Sequence, residues 1–260
     1  MMKRIPLMLM FCLLLTGAVL AQEKPASDAT KPAAKPATAA ALPTVDEVLE
    51  KFVKALGGKE ALEKQTSETI KGALELEGMG MSGAFESAAK APNKRAVLIS
   101  LSGFGNIHQV FDGTKAWSAD PMAGLRELSG AELAQMKRGS DLLSPLNYRK
   151  NFTKLELKGI QKVESAEAYV IEATPAEGSA EKHFFDVTTG LLIRVDGENE
   201  SPQGKVPMET YLSDYKEVEG VKAAHTIRQV TPQFTAVIKI SEIKRNPPVE
   251  DTRFNKPSGQ

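Results

Sequence analysis

Between Ile70 and Ile243 one pattern keeps returning: alternating apolar and polar residues, a turn signal, then another alternating run. Ile70-Lys71-Gly72-Ala73-Leu74-Glu75-Leu76-Glu77 shows it, with Ile70, Leu74 and Leu76 on one side. A period of two puts one face of a strand in a core and the other in water. Asp186-Val187-Thr188-Thr189-Gly190 joins two such runs, and Gly190 can take a positive φ without steric cost, so Lys182 to Asp196 reads as a hairpin. In this reading Leu191, Ile193 and Val195 share the buried face, and Arg194 and Asp196 the wet one. Asp112-Gly113 reads as a two-residue type I′ turn, and Glu177-Gly178 and Glu219-Gly220 mark further hairpins. The spacing predicts about 10–11 strands with two helical zones. The fold class is therefore mainly β: a curled antiparallel sheet forming a half-open barrel, covered by helices.

The helical zones carry their own signals. Thr44-Val45-Asp46-Glu47 is a capping box, and Val45, Val48, Leu49, Phe52, Val53 and Leu56 follow at helical spacing until Gly57-Gly58. Lys59 to Lys64 reads as a second, short helix. Leu128 to Met136 reads as another, capped by Ser129, with Leu133 and Met136 facing inward. A sheet that closed fully on its own side chains would leave these helices nothing to cover. A half-closed one has an apolar inner face that helices can plug, and displacing the plug would open a cleft for an acyl chain.

The ends divide the chain. Lys3 and Arg4, an apolar run from Ile5 to Leu15, and Val19-Leu20-Ala21 read as a cleavable signal peptide, residues 1–21. The single cysteine, Cys12, lies inside it and lacks the context of a lipidated residue, so the mature chain has no thiol and no disulfide. Residues 22–43 are Ala, Pro and Lys with little to bury, and read as a disordered linker. Residues 44–257 make one domain, and 258–260 a tail. Removing residues 1–21 leaves 31 basic against 33 acidic side chains, a net charge of −2, which offers no field for nucleic acid.

Catalytic and metal signals are weak. His108, His183 and His225 are dispersed without ligand spacing and are expected to face solvent on strands. Asp112, Asp186 and Asp214 are expected at strand ends or turns, satisfying local amides. No G-x-S-x-G or phosphate-binding loop occurs, so neither an enzyme nor a cofactor is expected.

Four stretches resemble the LolA-like superfamily of periplasmic proteins, which includes the lipoprotein carriers. They are the helix end Ala55-Leu56-Gly57-Gly58 with Lys59-Glu60-Ala61-Leu62, the turn and strand Phe111-Asp112-Gly113-Thr114-Lys115-Ala116-Trp117, the hairpin Phe184 to Leu192, and Tyr211 to Val221. The resemblance spans Thr44 to Pro257. It implies a periplasmic, monomeric, non-enzymatic carrier that takes lipoprotein acyl chains or another lipid, with inner- and outer-membrane envelope proteins as partners. The alternative is an envelope interaction or stress-sensing module on the same scaffold. Carriers of this kind use an arginine to lock the lid, and Arg95, then Arg126, are the candidates. The apolar set expected to line the cavity is Leu74, Leu76, Met81, Phe85, Val97, Ile99, Leu101, Trp117, Leu191 and Ile193.

Overall fold

The computed structural model describes residues 42–201 and 204–258. The expected signal peptide, and the expected linker apart from Leu42 and Pro43, lie outside the described residues.

Helix α1 (Val45–Leu56) starts at its capping box. The Glu47 amide donates to Thr44 Oγ1 at 3.2 Å, and the Thr44 amide donates to Glu47 Oε2 at 2.7 Å. A helix of this length is marginal alone in water, so tertiary burial holds it. Val48, Leu49, Phe52 and Leu56 supply that burial, each contributing about 1.5–3 kcal/mol when removed from water. A short helix, α2 (Lys59–Glu63), follows.

Strands β1 (Ser67–Glu77), β2 (Met81–Lys90), β3 (Lys94–Leu101), β4 (Gly105–Phe111), β5 (Ala116–Asp120) and β6 (Gly124–Glu127) form one meander. Helices α3 (Gly130–Gly139) and α4 (Tyr148–Asn151) lead to a second. This contains β7 (Lys154–Val163), β8 (Ala166–Thr174), β9 (Glu181–Asp186), β10 (Leu192–Ser201), β11 (Gly204–Val218), β12 (Val221–Val230) and β13 (Thr235–Arg245). Pairing of β1 with β13 joins the meanders into one antiparallel sheet of 13 strands, curled but unclosed, with β6 and β7 as free edges.

Two glycines mark where the sheet bends. A Cβ on Gly72 would stand 2.4 Å from the Lys239 carbonyl oxygen, and one on Gly83 2.0 Å from that of Ser100. A register shift between Lys71 and Gly72 adds a bulge beside the first of them. Glycine and a bulge together permit the close strand approach that a tight bend needs. The free edge β7 is defended by exposed Lys154, Lys158 and Lys162 and by an irregularity between Leu157 and Ile160, devices that discourage pairing with another chain.

Several details differ from expectation. The sheet has two or three strands more than expected, one of them β6, whose four residues are too few to show alternation. Asp112-Gly113 belongs to a four-residue loop between the paired Phe111 and Ala116, in which Asp112 Oδ1 accepts from the amides of Thr114 and Lys115, both at 2.7 Å. Ser129 sits at the N-cap of α3 without a side-chain capping bond. Asp186 caps its own turn as expected, accepting from the Thr188 and Thr189 amides at 3.0 and 2.5 Å. Asp214 instead lies inside β11 with φ 52° and pairs with Lys216 at 2.8 Å.

The face of the sheet that carries the helices is its inner face. On the outer face the C-terminal segment, with a 3-10 turn at Asp251–Phe254, packs Val249 and Phe254 against Ala88, Ala96, Val110 and Trp117. Lys90 and Lys94 both reach Asp251 at 3.1 Å and hold the segment there.

Candidate functional site

The inner face has two regions. Over β8, β9 and β10 the helices close it. Val48, Leu49, Phe52 and Leu56 of α1, Leu62 of α2 and Tyr148 of α4 form one buried cluster with Ile171, Phe185, Leu191 and Val221. Phe52 meets the Phe185 ring edge-on with centroids 5.2 Å apart. The β9–β10 turn docks on the same helix: Lys51 Nζ donates to the Val187 carbonyl at 2.5 Å, and a Cβ on Gly190 would lie 2.7 Å from Lys51 Cγ. Farther along, Leu133 and Met136 of α3 pack on Phe111, Ala116 and Leu128.

A buried polar chain ties this cover to the sheet. Glu181 Oε2 lies 2.9 Å from His183 Nε2, and His183 Nδ1 lies 3.0 Å from the Tyr148 hydroxyl. An ionised carboxylate only accepts, so Nε2 carries a ring proton; with a neutral imidazole Tyr148 donates to Nδ1, and with an imidazolium Nδ1 donates to the Tyr148 oxygen. Arg138 of α3 completes the chain, donating to Glu181 Oε1 at 3.1 Å. Burial alone would raise the Glu181 pKa, but contacts with His183 and Arg138 outweigh it and hold the group below the usual carboxylate value. Burial raises the Tyr148 pKa above its ordinary value, so the phenol keeps its proton.

The second region belongs to β1–β4, β12 and β13, and no residue of its cluster comes from a helix. Leu74, Leu76, Leu101, Ala236, Ile238, Ile240 and Ile243 form its buried base. Ile70, Met81, Phe85, Ile99, Ile107 and Ile227 pack on them and remain only half-buried. Register aligns these side chains in rows across the strands. Leu101, Gly83, Leu74, Ile238 and Ile227 make one row, and Ile107, Ile99, Phe85, Gly72 and Ile240 the next. Val97, Ser87, Ile70 and Ile243 make a third, which opens to solvent at exposed Gln109.

The row beyond carries the charges: Arg95, Glu68 and Arg245, together with Phe111 and Ala89. Arg245 is held by three hydrogen bonds, donating to Gln65 Oε1 at 2.6 Å, Glu68 Oε2 at 2.7 Å and the Val218 carbonyl at 3.3 Å. Arg95 makes one hydrogen bond, to Ser87 Oγ at 3.3 Å. Its Nε is shut off from solvent without a partner, the one buried side-chain nitrogen or oxygen in that condition among the described residues. Burial lowers the Arg95 pKa from its ordinary value, and the Glu68 carboxylate opposes that shift.

No protein-family model matches the sequence, and no curated protein does. Solved structures do match. A LolA superfamily protein of Nitrosomonas europaea aligns with 83% of this chain and 99% of its own, at TM-score 0.55 and 14% identity. A candidate outer-membrane lipoprotein-sorting domain from Vibrio parahaemolyticus aligns over 82% and 98%, at TM-score 0.55 and 11% identity. The fold is LolA-like. A DUF1329 family protein from Desulfovibrio piger shares it, at TM-score 0.54 and 15% identity over 81% and 97% of the two chains.

Within this LolA-like sheet the expected residues divide among three places. Leu74, Leu76, Met81, Phe85, Val97, Ile99 and Leu101 all fall on the helix-free inner region. Leu191 lies under α1. Trp117 and Ile193 are on the outer face. Trp117 pairs with Val110 beneath the C-terminal segment. A bulge between Leu192 and Arg194 sets Ile193 beside Arg194, opposite Phe184, and so breaks the alternation that would have aligned Ile193 with Leu191 and Val195. His183 is buried where an exposed position was expected, while His108 and His225 are half-buried. Of the two arginines expected to lock a lid, Arg95 bonds within the sheet, whereas Arg126 on β6 grips Glu132 of α3 through two bonds of 2.7 and 2.5 Å. The Tyr148–His183 contact escaped sequence reading because no spacing signal links residues 35 positions apart.

A separate open groove of about 430 Å³ runs between α1 and the α3–α4 connection. Leu49, Val53, Pro145, Leu146 and Tyr148 line it, and Asp46, Lys54 and Arg149 stand at its rim.

Proposed function

We propose that the protein is a non-enzymatic carrier that takes an acyl chain of a lipoprotein, or of another lipid, on the helix-free inner region of the sheet. The observation that carries this reading is the contrast in cover. Large apolar side chains on β1–β4 stay half-buried with no helix residue packed on them, while their equivalents on β8–β10 are sealed. A contiguous apolar surface left incomplete by its own chain is a site for an apolar guest. The Met81 thioether and the branched side chains around it suit a flexible chain of variable shape. Similarity to a candidate lipoprotein-sorting domain supports the same reading.

The proposal extends to the ends of the chain. Residues 1–21 direct export to the periplasm and are removed, residues 22–43 tether the domain, and residues 44–257 carry the cargo between membranes. The test is a titration of the purified chain with a fluorescent acyl probe and with an acylated peptide. Saturable binding that Ile99→Gln weakens supports the carrier, and failure to bind chains of several lengths overturns it. A strain lacking the protein should mislocalise outer-membrane lipoproteins. Correct sorting in that strain would move the cargo to another lipid class.

A further inference from the structure

We infer that the inner face holds a subsite for an anionic head group, formed by Arg95 at the polar end of the helix-free apolar region, and that the guest is therefore an amphiphile ending in a carboxylate or phosphate. This rests on the proposed binding of an apolar chain to that region and, of the cargoes proposed, selects a lipid other than a lipoprotein.

Charge in the charged row does not balance. Two guanidinium groups, Arg95 and Arg245, face one carboxylate, Glu68. The close contact of Glu68 goes to Arg245 at 2.7 Å, and Gln65 and the Val218 carbonyl take more of Arg245's donors. Arg95 is left with a hydroxyl, Ser87 Oγ, for five N–H donors. A half-buried guanidinium whose Nε is shut off from solvent with no partner is a costly arrangement, because a desolvated donor on a charged group needs an acceptor and, best, a counter-charge. A carboxylate or phosphate supplies both at once, through paired N–H···O bonds from the fork to two of its oxygens.

Position gives the second argument. Arg95 lies on the same strand face as Val97, Ile99 and Leu101, so the cation terminates the apolar rows instead of standing apart from them. At about 3.3 Å per residue, the strand from Arg95 to Leu101 offers roughly 20 Å of graded surface, cationic at one end and apolar at the other. Exposed Gln109, opposite Val97, leaves the neighbouring row open to solvent and to an arriving head group. Such a surface has the polarity profile of a fatty acid or an alkyl phosphate and mismatches a neutral ester.

The experiment compares three probes on the full chain by competition for a fluorescent fatty acid: a long-chain fatty acid, its methyl ester, and inorganic phosphate alone. The fatty acid should compete about tenfold or more better than the ester, the range of a charge-assisted hydrogen bond. Arg95→Met should erase that preference by weakening the acid relative to the ester, and Arg95→Lys should retain part of it. The melting temperature of Arg95→Met should stay level or rise, since the change removes a cation whose Nε is desolvated without a partner; a purely structural arginine would give a fall. Equal competition by acid and ester in the unaltered protein overturns the inference while leaving the carrier reading intact. Failure of both to bind overturns the carrier reading itself. Competition by inorganic phosphate at low millimolar concentration would identify a free-anion site and also overturn the amphiphile.

Discussion

The two inner-face regions use the same strand chemistry and are finished by different means. On β8–β10 the chain returns its own helices, and Phe52 and Tyr148 complete the packing around Phe185. On β1–β4 side chains as large as Phe85 and Ile99 project from the same face, and strands alone surround them. The sealed region invests its apolar area in stability. The open one keeps part of its area in contact with water, a cost that a bound chain would remove.

The largest test of this contrast is Phe185→Ala. Phe185 is fully buried, so its loss should cost about 3–5 kcal/mol in chemical denaturation. Tyr148→Phe should come next, at about 1–3 kcal/mol, because it leaves His183 Nδ1 buried without its hydrogen-bond partner. Phe85→Ala should cost no more than about half of the Phe185 value, since half-buried Phe85 has less contact to lose, and should show its main effect in acyl-probe binding. Equal stability losses at Phe85 and Phe185 would abolish the distinction between the regions.

Acidification should separate them further. The Glu181 pKa is lowered in the folded protein, so its contribution is complete above the ordinary carboxylate value, near about 4.3, and is lost as pH falls through the folded value. Glu181→Gln should flatten that part of the stability–pH curve measured by thermal melts. The smallest effect belongs to Arg149→Ala. The Arg149–Asp46 pair, 2.6 Å apart, ties α4 to α1 but is exposed, so its loss should stay within about 1 kcal/mol by denaturation.

What the sequence revealed depended on how local each signal was. The α1 stripe and its capping box were legible because every partner lies within a few residues. Strand alternation placed Leu74, Phe85 and Ile99 on one face correctly, since β1–β3 run without a bulge between these positions and their β2 partners. The same rule failed at Ile193, where one extra residue opposite Phe184 reversed the face. Trp117 was misplaced for another reason: its cover, Phe254, comes from the far end of the chain, and alternation cannot say which face a distant segment will choose. The Tyr148–His183–Glu181–Arg138 chain exists only because the topology brings α3 and α4 over β9. Arg95 could be assigned to the inner face by parity, but its missing partner could be seen only once Arg245 was found to occupy Glu68.

The most direct measurement of the central claim is photolabelling of the full chain with an acyl probe carrying a reactive group on its tail, followed by mass spectrometry of the labelled residues. The account predicts label on the helix-free inner region, at Met81, Phe85, Ile99 and their row neighbours. Label concentrated on Leu49, Val53 and Leu146, in the groove beside α1, would contradict it.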